Sequence, residues 1–162
     1  MQKKILILFG VFCLVGALAQ ATVINGSVPN KGSKLYTFTP DFSGIALFSL
    51  IYESNAADLD IRLAVRDSSN QLSLVASSES ELKRQEDLQI GVLGGIQYTI
   101  IVFSSSGSSP FRLSFEGTFT TSSPGQAGAS SGGVELREIQ PDAAMLKFLE
   151  QARKHSDEMK HR

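Results

Sequence analysis

The chain has 162 residues, with 15 basic against 16 acidic side chains, one cysteine and no tryptophan. So even a balance, with no basic cluster, gives no electrostatic footprint for nucleic acid, and a lone cysteine excludes a disulfide framework or a zinc-thiolate site. The length fits one domain that buries a core without covalent staples.

Residues 1–21 begin with Lys3 and Lys4, continue as an apolar run from Ile5 to Ala19, and end on Ala19-Gln20-Ala21, an A-x-A cleavage site. Basic start, apolar centre and small-residue exit predict a secretory signal peptide cut after Ala21. A transmembrane helix needs roughly 20 apolar residues. This run is shorter and passes at once into a polar, strand-like sequence, so no stable membrane anchor is expected after cleavage. Cys13 raises lipidation, but Gly10-Val11-Phe12 lacks the leucine and small residues of a lipobox. Cleavage removes both lysines and the cysteine, leaving 13 basic and 16 acidic residues in a thiol-free chain that is secreted or periplasmic.

Three zones follow. Residues 22–119 are rich in β-branched and aromatic residues, 120–133 form a Gly/Ser-rich flexible linker, and 134–162 form a charged tail with a helical pattern. In the first zone Lys34 to Thr39 alternates. Gly44 to Tyr52 is almost wholly apolar, as for a central strand buried on both faces. Asp58 to Arg66 sets Leu59, Ile61, Leu63 and Val65 on one face, and Asp58, Asp60, Arg62 and Ala64 on the other. Asp67-Ser68-Ser69-Asn70 is a turn, Leu72 to Ala76 a returning strand, and Leu88 to Val92 alternates again. Between these two, Glu79, Glu81, Glu86 and Asp87 surround Lys83 and Arg84 as an exposed charged loop. Leu93-Gly94-Gly95 turns into Ile96 to Phe103, a second buried run. A Gly/Ser loop over Ser104 to Ser109 leads to the alternating Phe111, Leu113 and Phe115. Seven to eight short strands with no helix between them predict an all-β, antiparallel β-sandwich.

The order of these segments resembles the bacterial pre-peptidase C-terminal domain family. Asn25-Gly26-Ser27-Val28 with Leu35-Tyr36-Thr37-Phe38-Thr39 is similar to its opening pattern. Ala57-Asp58-Leu59-Asp60-Ile61-Arg62-Leu63 is similar to its A-D-L-D-L-x-L run. Gly94 to Val102 and Ser109 to Ser114 are similar to its two last strands. The resemblance covers Ile24 to about Gly117 and implies a jelly-roll-like sandwich. Such domains trail secreted peptidases; no peptidase precedes this block, so the resemblance implies a stand-alone module acting on a separate protein.

Catalytic residues are scarce. His155 and His161 both lie in the tail, where a base seldom reaches a nucleophile on the folded block. Asp58 and Asp60 share a strand face with Arg62. One reading makes them a speculative calcium site, since hard cations take clustered oxygens. The other has Asp58 bonding backbone amides of its loop, with Asp60 facing solvent or Arg62. Some collagen-binding members of the resembled family bind calcium through an acidic segment before the sandwich, whereas Thr22 to Ser33 holds no carboxylate. No other cofactor is expected. Asn25-Gly26-Ser27 is an N-glycosylation sequon, meaningful only in a eukaryotic secretory pathway.

In the tail, Pro141 and Asp142 open a helix, and Met145, Phe148, Leu149 and Ala152 form its apolar stripe. So short a helix is marginal alone. Met145, Phe148 and Leu149 are therefore expected to dock either on the chain's own sandwich or on a partner protein. The leading expectation is a secreted, non-catalytic binding module for an extracellular protein or polysaccharide. The alternatives are a calcium-dependent module using Asp58 and Asp60, and a hydrolase built from carboxylates alone.

Overall fold

The computed structural model describes residues 21–78, 84–120, 129–130 and 134–160. Most of the expected signal segment, including Ala19, and most of the expected linker lie outside them; Ala21 is described and exposed. Eight strands occupy the first zone: β1 (Thr22–Val28), β2 (Ser33–Phe38), β3 (Gly44–Tyr52), β4 (Asp58–Arg66), β5 (Leu72–Ser78), β6 (Gln85–Val92), β7 (Tyr98–Ser106) and β8 (Ser109–Thr120). Two short strands, β9 (Ala129–Ser130) and β10 (Arg137–Ile139), and one helix, α1 (Ala143–Lys160), complete the described elements.

The strands form two antiparallel sheets. The first runs β1-β8-β3-β6, with β9 on β8; the second runs β10-β2-β7-β4-β5. First pairs with last (β1–β8), second with seventh, third with sixth and fourth with fifth. This is a long antiparallel ribbon folded over on itself, the connectivity of an eight-stranded jelly roll. The all-β sandwich expected from the alternation is the observed fold.

Alternation decides what each face buries. Tyr36 and Phe38 of β2, Leu59, Ile61 and Leu63 of β4 and Ile100 and Val102 of β7 point between the sheets. They meet Ala46, Phe48, Leu50 and Tyr52 of β3 and Phe111, Leu113 and Phe115 of β8. The Phe38 ring lies 5.7 Å from Phe48 and 5.2 Å from Phe115, joining the two sheets.

A second, smaller core lies outside the second sheet. Leu35, Ala64, Ile101 and Phe103 point outward there and are covered by Met145 and Leu149 of α1, with Phe148 beside them. The helix begins with Asp142, whose carboxylate accepts the Met145 amide at 2.9 Å, an N-cap bond. Pro141 therefore precedes the cap instead of sitting in the first turn. Asp142 also pairs with Arg66 at 2.6 Å. The capping amide first, and then Arg66, hold its carboxyl below the usual carboxylate range. Phe103 lies under two guanidinium groups, Arg62 at 5.3 Å and Arg153 at 5.9 Å. Ahead of the helix, residues 137–139 add a strand to β2 that the charged-tail expectation did not contain, secured by the Lys34–Glu138 ion pair.

Two other expectations change. The charged loop ends sooner than its composition suggests: β6 starts at Gln85, and Glu86 points between the sheets in phase with Leu88 and Val92. There its carboxylate accepts the Ser78 hydroxyl at 2.6 Å. Residues 79–83, with Glu79, Glu81 and Lys83, lie outside the described residues. The apolar β3 run is central in its sheet but buried on one face only. By contrast, β7 is buried on both, because α1 covers its sheet.

Truncating the helix contact tests this packing. Leu149→Ala is expected to destabilise the fold by about 2–4 kcal/mol, as a buried Leu→Ala change does, read from urea midpoints. A second prediction concerns alkali. Burial, reinforced by the Glu138 carboxylate, pushes the Tyr36 phenol up from 10.0 to about 12. Because the folded pKa is the higher, the contribution is complete below pH 10.0 and is lost as pH rises towards about 12. Denaturation midpoints should fall over that window, and less steeply in Tyr36→Phe.

Candidate functional site

The outer face of the first sheet carries the uncovered half of β3. Ile45, Leu47 and Ile51 are 46 %, 40 % and 47 % exposed, and Val23 of β1 is 40 % exposed. Single exposed aliphatic side chains are ordinary; here four share one sheet face.

The pairing register arranges this face in rows across the strands. Asn25, Arg112, Ile51 and Gln85 form one row. Val23, Ser114, Ser49 and Asp87 form the next, and Glu116, Leu47 and Gln89 the one after. Thr118, Ile45 and Gly91 close the face. Ser49 and Ser114 are directly opposed on neighbouring strands and are short, so the surface dips beside them. The result is a depression of about 330 Å³ lined by Leu47, Phe48, Ser49, Asp87, Leu88, Gln89, Ser114 and Glu116. Its polar rim has two carboxylates, two hydroxyls and an amide, and no imidazole, so neither serine has a histidine base there. Asp87 and Glu116 lie on strands either side of β3, about 10 Å apart across the sheet by strand spacing. The Asp87 carboxylate is engaged by the Gln85 amide at 3.0 Å.

Apart from Asn25 and Asp87, which stand on this face, the residues singled out from sequence lie elsewhere. Asp58 and Asp60 do share the outward face of β4, on the second sheet. A bulge between Asp58 and Leu59 leaves Ser105 as the extra residue on β7, and the Ser105 hydroxyl donates to the Asp58 carboxylate. Asp60 is only 4 % exposed, so it does not face solvent. No group of three or more His, Cys, Asp or Glu side chains suited to a metal occurs among the described residues. Met145 and Leu149 are buried on the second sheet, and Phe148 is partly buried beside them. The stripe thus packs on its own sandwich. Asn25 of the sequon is exposed on β1, opposite Arg112.

Each end of the sandwich has its own chemistry. At one, buried Ser109 accepts the Glu53 and Ser54 amides at 3.2 and 3.1 Å, tying the β3–β4 loop to β8. Gly107 completes that closure at φ +71°, and a Cβ there would come within 2.4 Å of the Ala56 carbonyl oxygen. At the other, Phe42, Leu93 and Ile96 stand exposed on two loops, joined by the Gly95 amide to the Pro40 carbonyl at 2.7 Å.

No family model matches the chain, and no curated protein matches it in sequence. Solved structures do resemble it. A mitogen from Yersinia pseudotuberculosis is 11 % identical over 68 % of this chain and 94 % of its own, with a TM-score of 0.50. The pre-peptidase C-terminal domain of a Bacillus anthracis collagenase is 19 % identical over 58 % of this chain and 87 % of that one, with a TM-score of 0.49. A periplasmic inhibitor of g-type lysozyme from Aeromonas hydrophila is 11 % identical over 63 % and 90 %, with a TM-score of 0.44. At such identities the likeness is one of fold.

The calcium alternative has a direct test. Calcium takes about six to eight oxygens, and among the described residues no third metal-binding side chain joins Asp58 and Asp60, so added calcium is expected to leave the melting temperature unchanged. A rise that Asp58→Asn abolishes would assign a site there.

Proposed function

We propose that the chain is an exported, non-catalytic β-sandwich module that binds an extracellular polymer or another exported protein across its open four-stranded face. One observation carries this: Ile45, Leu47, Ile51 and Val23 are exposed on a single rigid face, while the equivalent face of the other sheet is covered by the chain's own helix. These side chains are already more than half covered, so each forgoes roughly half of the about 1.5–3 kcal/mol that full burial gives. Coverage by a partner recovers it. The rim of Arg112, Asp87, Glu116 and Gln89 supplies orientation, and the depression between Leu47 and Ser49 supplies a seat for one inserted group.

Export is supported by the basic, apolar and small-residue order of residues 1–21. An accessory role agrees with the A-D-L-D-I-R-L run and the other strand motifs resembling pre-peptidase C-terminal domains. The absence of histidine between Thr22 and Lys154 in the sequence supports a non-catalytic role.

Variants of the face test the assignment. Ile51→Lys and Leu47→Lys, at positions 47 % and 40 % exposed, are expected to cost about 1 kcal/mol of stability each and to leave the fold intact. They should abolish retention of the protein on whichever extracellular polysaccharide or exported protein retains the unaltered chain. Retention that survives both substitutions would place the contact elsewhere. Hydrolysis of a polymer substrate, lost on one carboxylate substitution, would make the protein an enzyme.

A further inference from the structure

We propose that the occupant of the open face is a second copy of this chain, seated by a two-fold axis running across the strands along the Ser49–Ser114 row. The inference rests on the assignment of that face as the binding surface. Two residues from this row along β8 and β3 stand Arg112 and Ile51 in one direction, and Glu116 and Leu47 in the other. Half a turn about an axis lying between two stacked faces exchanges these directions and leaves each strand over its own copy. Arg112 of one chain then faces Glu116 of the second, and Ile51 faces Leu47 of the second. By symmetry both contacts occur twice.

The pattern is therefore self-complementary, as an isologous contact requires. Cation meets anion on β8 and aliphatic meets aliphatic on β3. Ile51 of each copy lies over the depression beside Leu47 and Ser49 of the other, a projecting side chain over a hole. A polysaccharide or an unrelated protein gives no reason for Arg112 and Glu116 to lie equidistant from the serine row. Asp87 opposes the arrangement, because it lies in the axial row and meets its own counterpart. It stands on the edge strand β6, where solvent and salt screen the repulsion.

Four strands about 4.8 Å apart and eight residues at about 3.4 Å give a footprint of about 500 Å² per copy. The total, about 1,000 Å², lies at the small end of specific interfaces. The dimer is accordingly weak and concentration-dependent.

Sedimentation equilibrium on the chain purified after export, from about 1 µM to about 1 mM, is expected to show a monomer–dimer equilibrium. Arg112→Glu and Glu116→Arg should each weaken the dimer by about tenfold or more, since each brings like charges together at both ends. An equimolar mixture of the two variants should recover it, because every pair of unlike chains then sets an introduced carboxylate against an introduced guanidinium at one end and the native pair at the other. Asp87→Asn should tighten the dimer, and most at low salt, where the repulsion it removes is least screened. A chain that stays monomeric throughout overturns the dimer, and the face assignment is then judged by ligand retention in Ile51→Lys. A dimer abolished by Ile51→Lys but not recovered by mixing keeps the face and overturns this two-fold arrangement. A dimer indifferent to Ile51→Lys overturns the dimer proposed on this face.

Discussion

The contact on which the molecule depends is the seam between the sheets, where Phe38 of one sheet lies against Phe48 and Phe115 of the other. Phe48 and Phe115 are themselves 5.1 Å apart on paired strands, and Tyr98 stacks on Phe38 at 5.2 Å. Four aromatic side chains from β2, β3, β7 and β8 thus meet in one place. These strands are far apart in sequence and are brought together only when the ribbon folds over. Sandwich formation and burial of this cluster are the same event, and non-local pairing of this kind must be complete before it stabilises anything.

Once the seam is made, the outer faces have different fates. The second sheet offers Leu35, Ala64, Ile101 and Phe103, and the chain supplies its own cover. A helix draws most of its stability from packing its apolar face, and the stripe of this 18-residue helix and the sheet surface each supply what the other lacks. Its N-cap bond and the Arg66–Asp142 pair set where the cover starts, while Arg153 over Phe103 secures the next turns. The first sheet has the same need and no described element to meet it. Its exposed aliphatic row is what remains when three of four sheet faces are covered from within. That asymmetry is what the proposed binding role rests on.

The acidic residues illustrate how position overrides composition. Glu86 belongs to a charged stretch, yet its phase with Leu88 and Val92 turns it between the sheets, where the Ser78 hydroxyl meets it. Asp60 is likewise drawn under cover by its place on β4. Asp58 is bound to a bulge serine. A carboxylate in a strand goes where the pleat sends it, and its neighbours must accommodate the charge.

Much of the architecture was legible from residue order alone. Period-two alternation in β2, β4, β6 and β8 depends only on neighbouring residues, so with the apolar runs of β3 and β7 and the return at β5, seven of the eight main strands and the all-β class could be read directly. The Met145–Leu149 stripe and the acid that opens the helix are local in the same way, whereas the capping role of Asp142 emerged only from its bond to the Met145 amide. The candidate site was not legible. An apolar strand with both phases filled, such as Gly44 to Tyr52, looks the same whether its second face is covered by a helix or left open. Ile96 to Phe103 and Gly44 to Tyr52 read alike in sequence, and only the docking of α1 on one sheet and not the other separates them. The rows that place Ser49 beside Ser114, and Arg112 and Glu116 on either side, join residues more than sixty positions apart. Composition and periodicity determined that this chain would form a two-layered sandwich. Which face remained open, and what stood on it, was decided by long-range register and by where the helix came to rest.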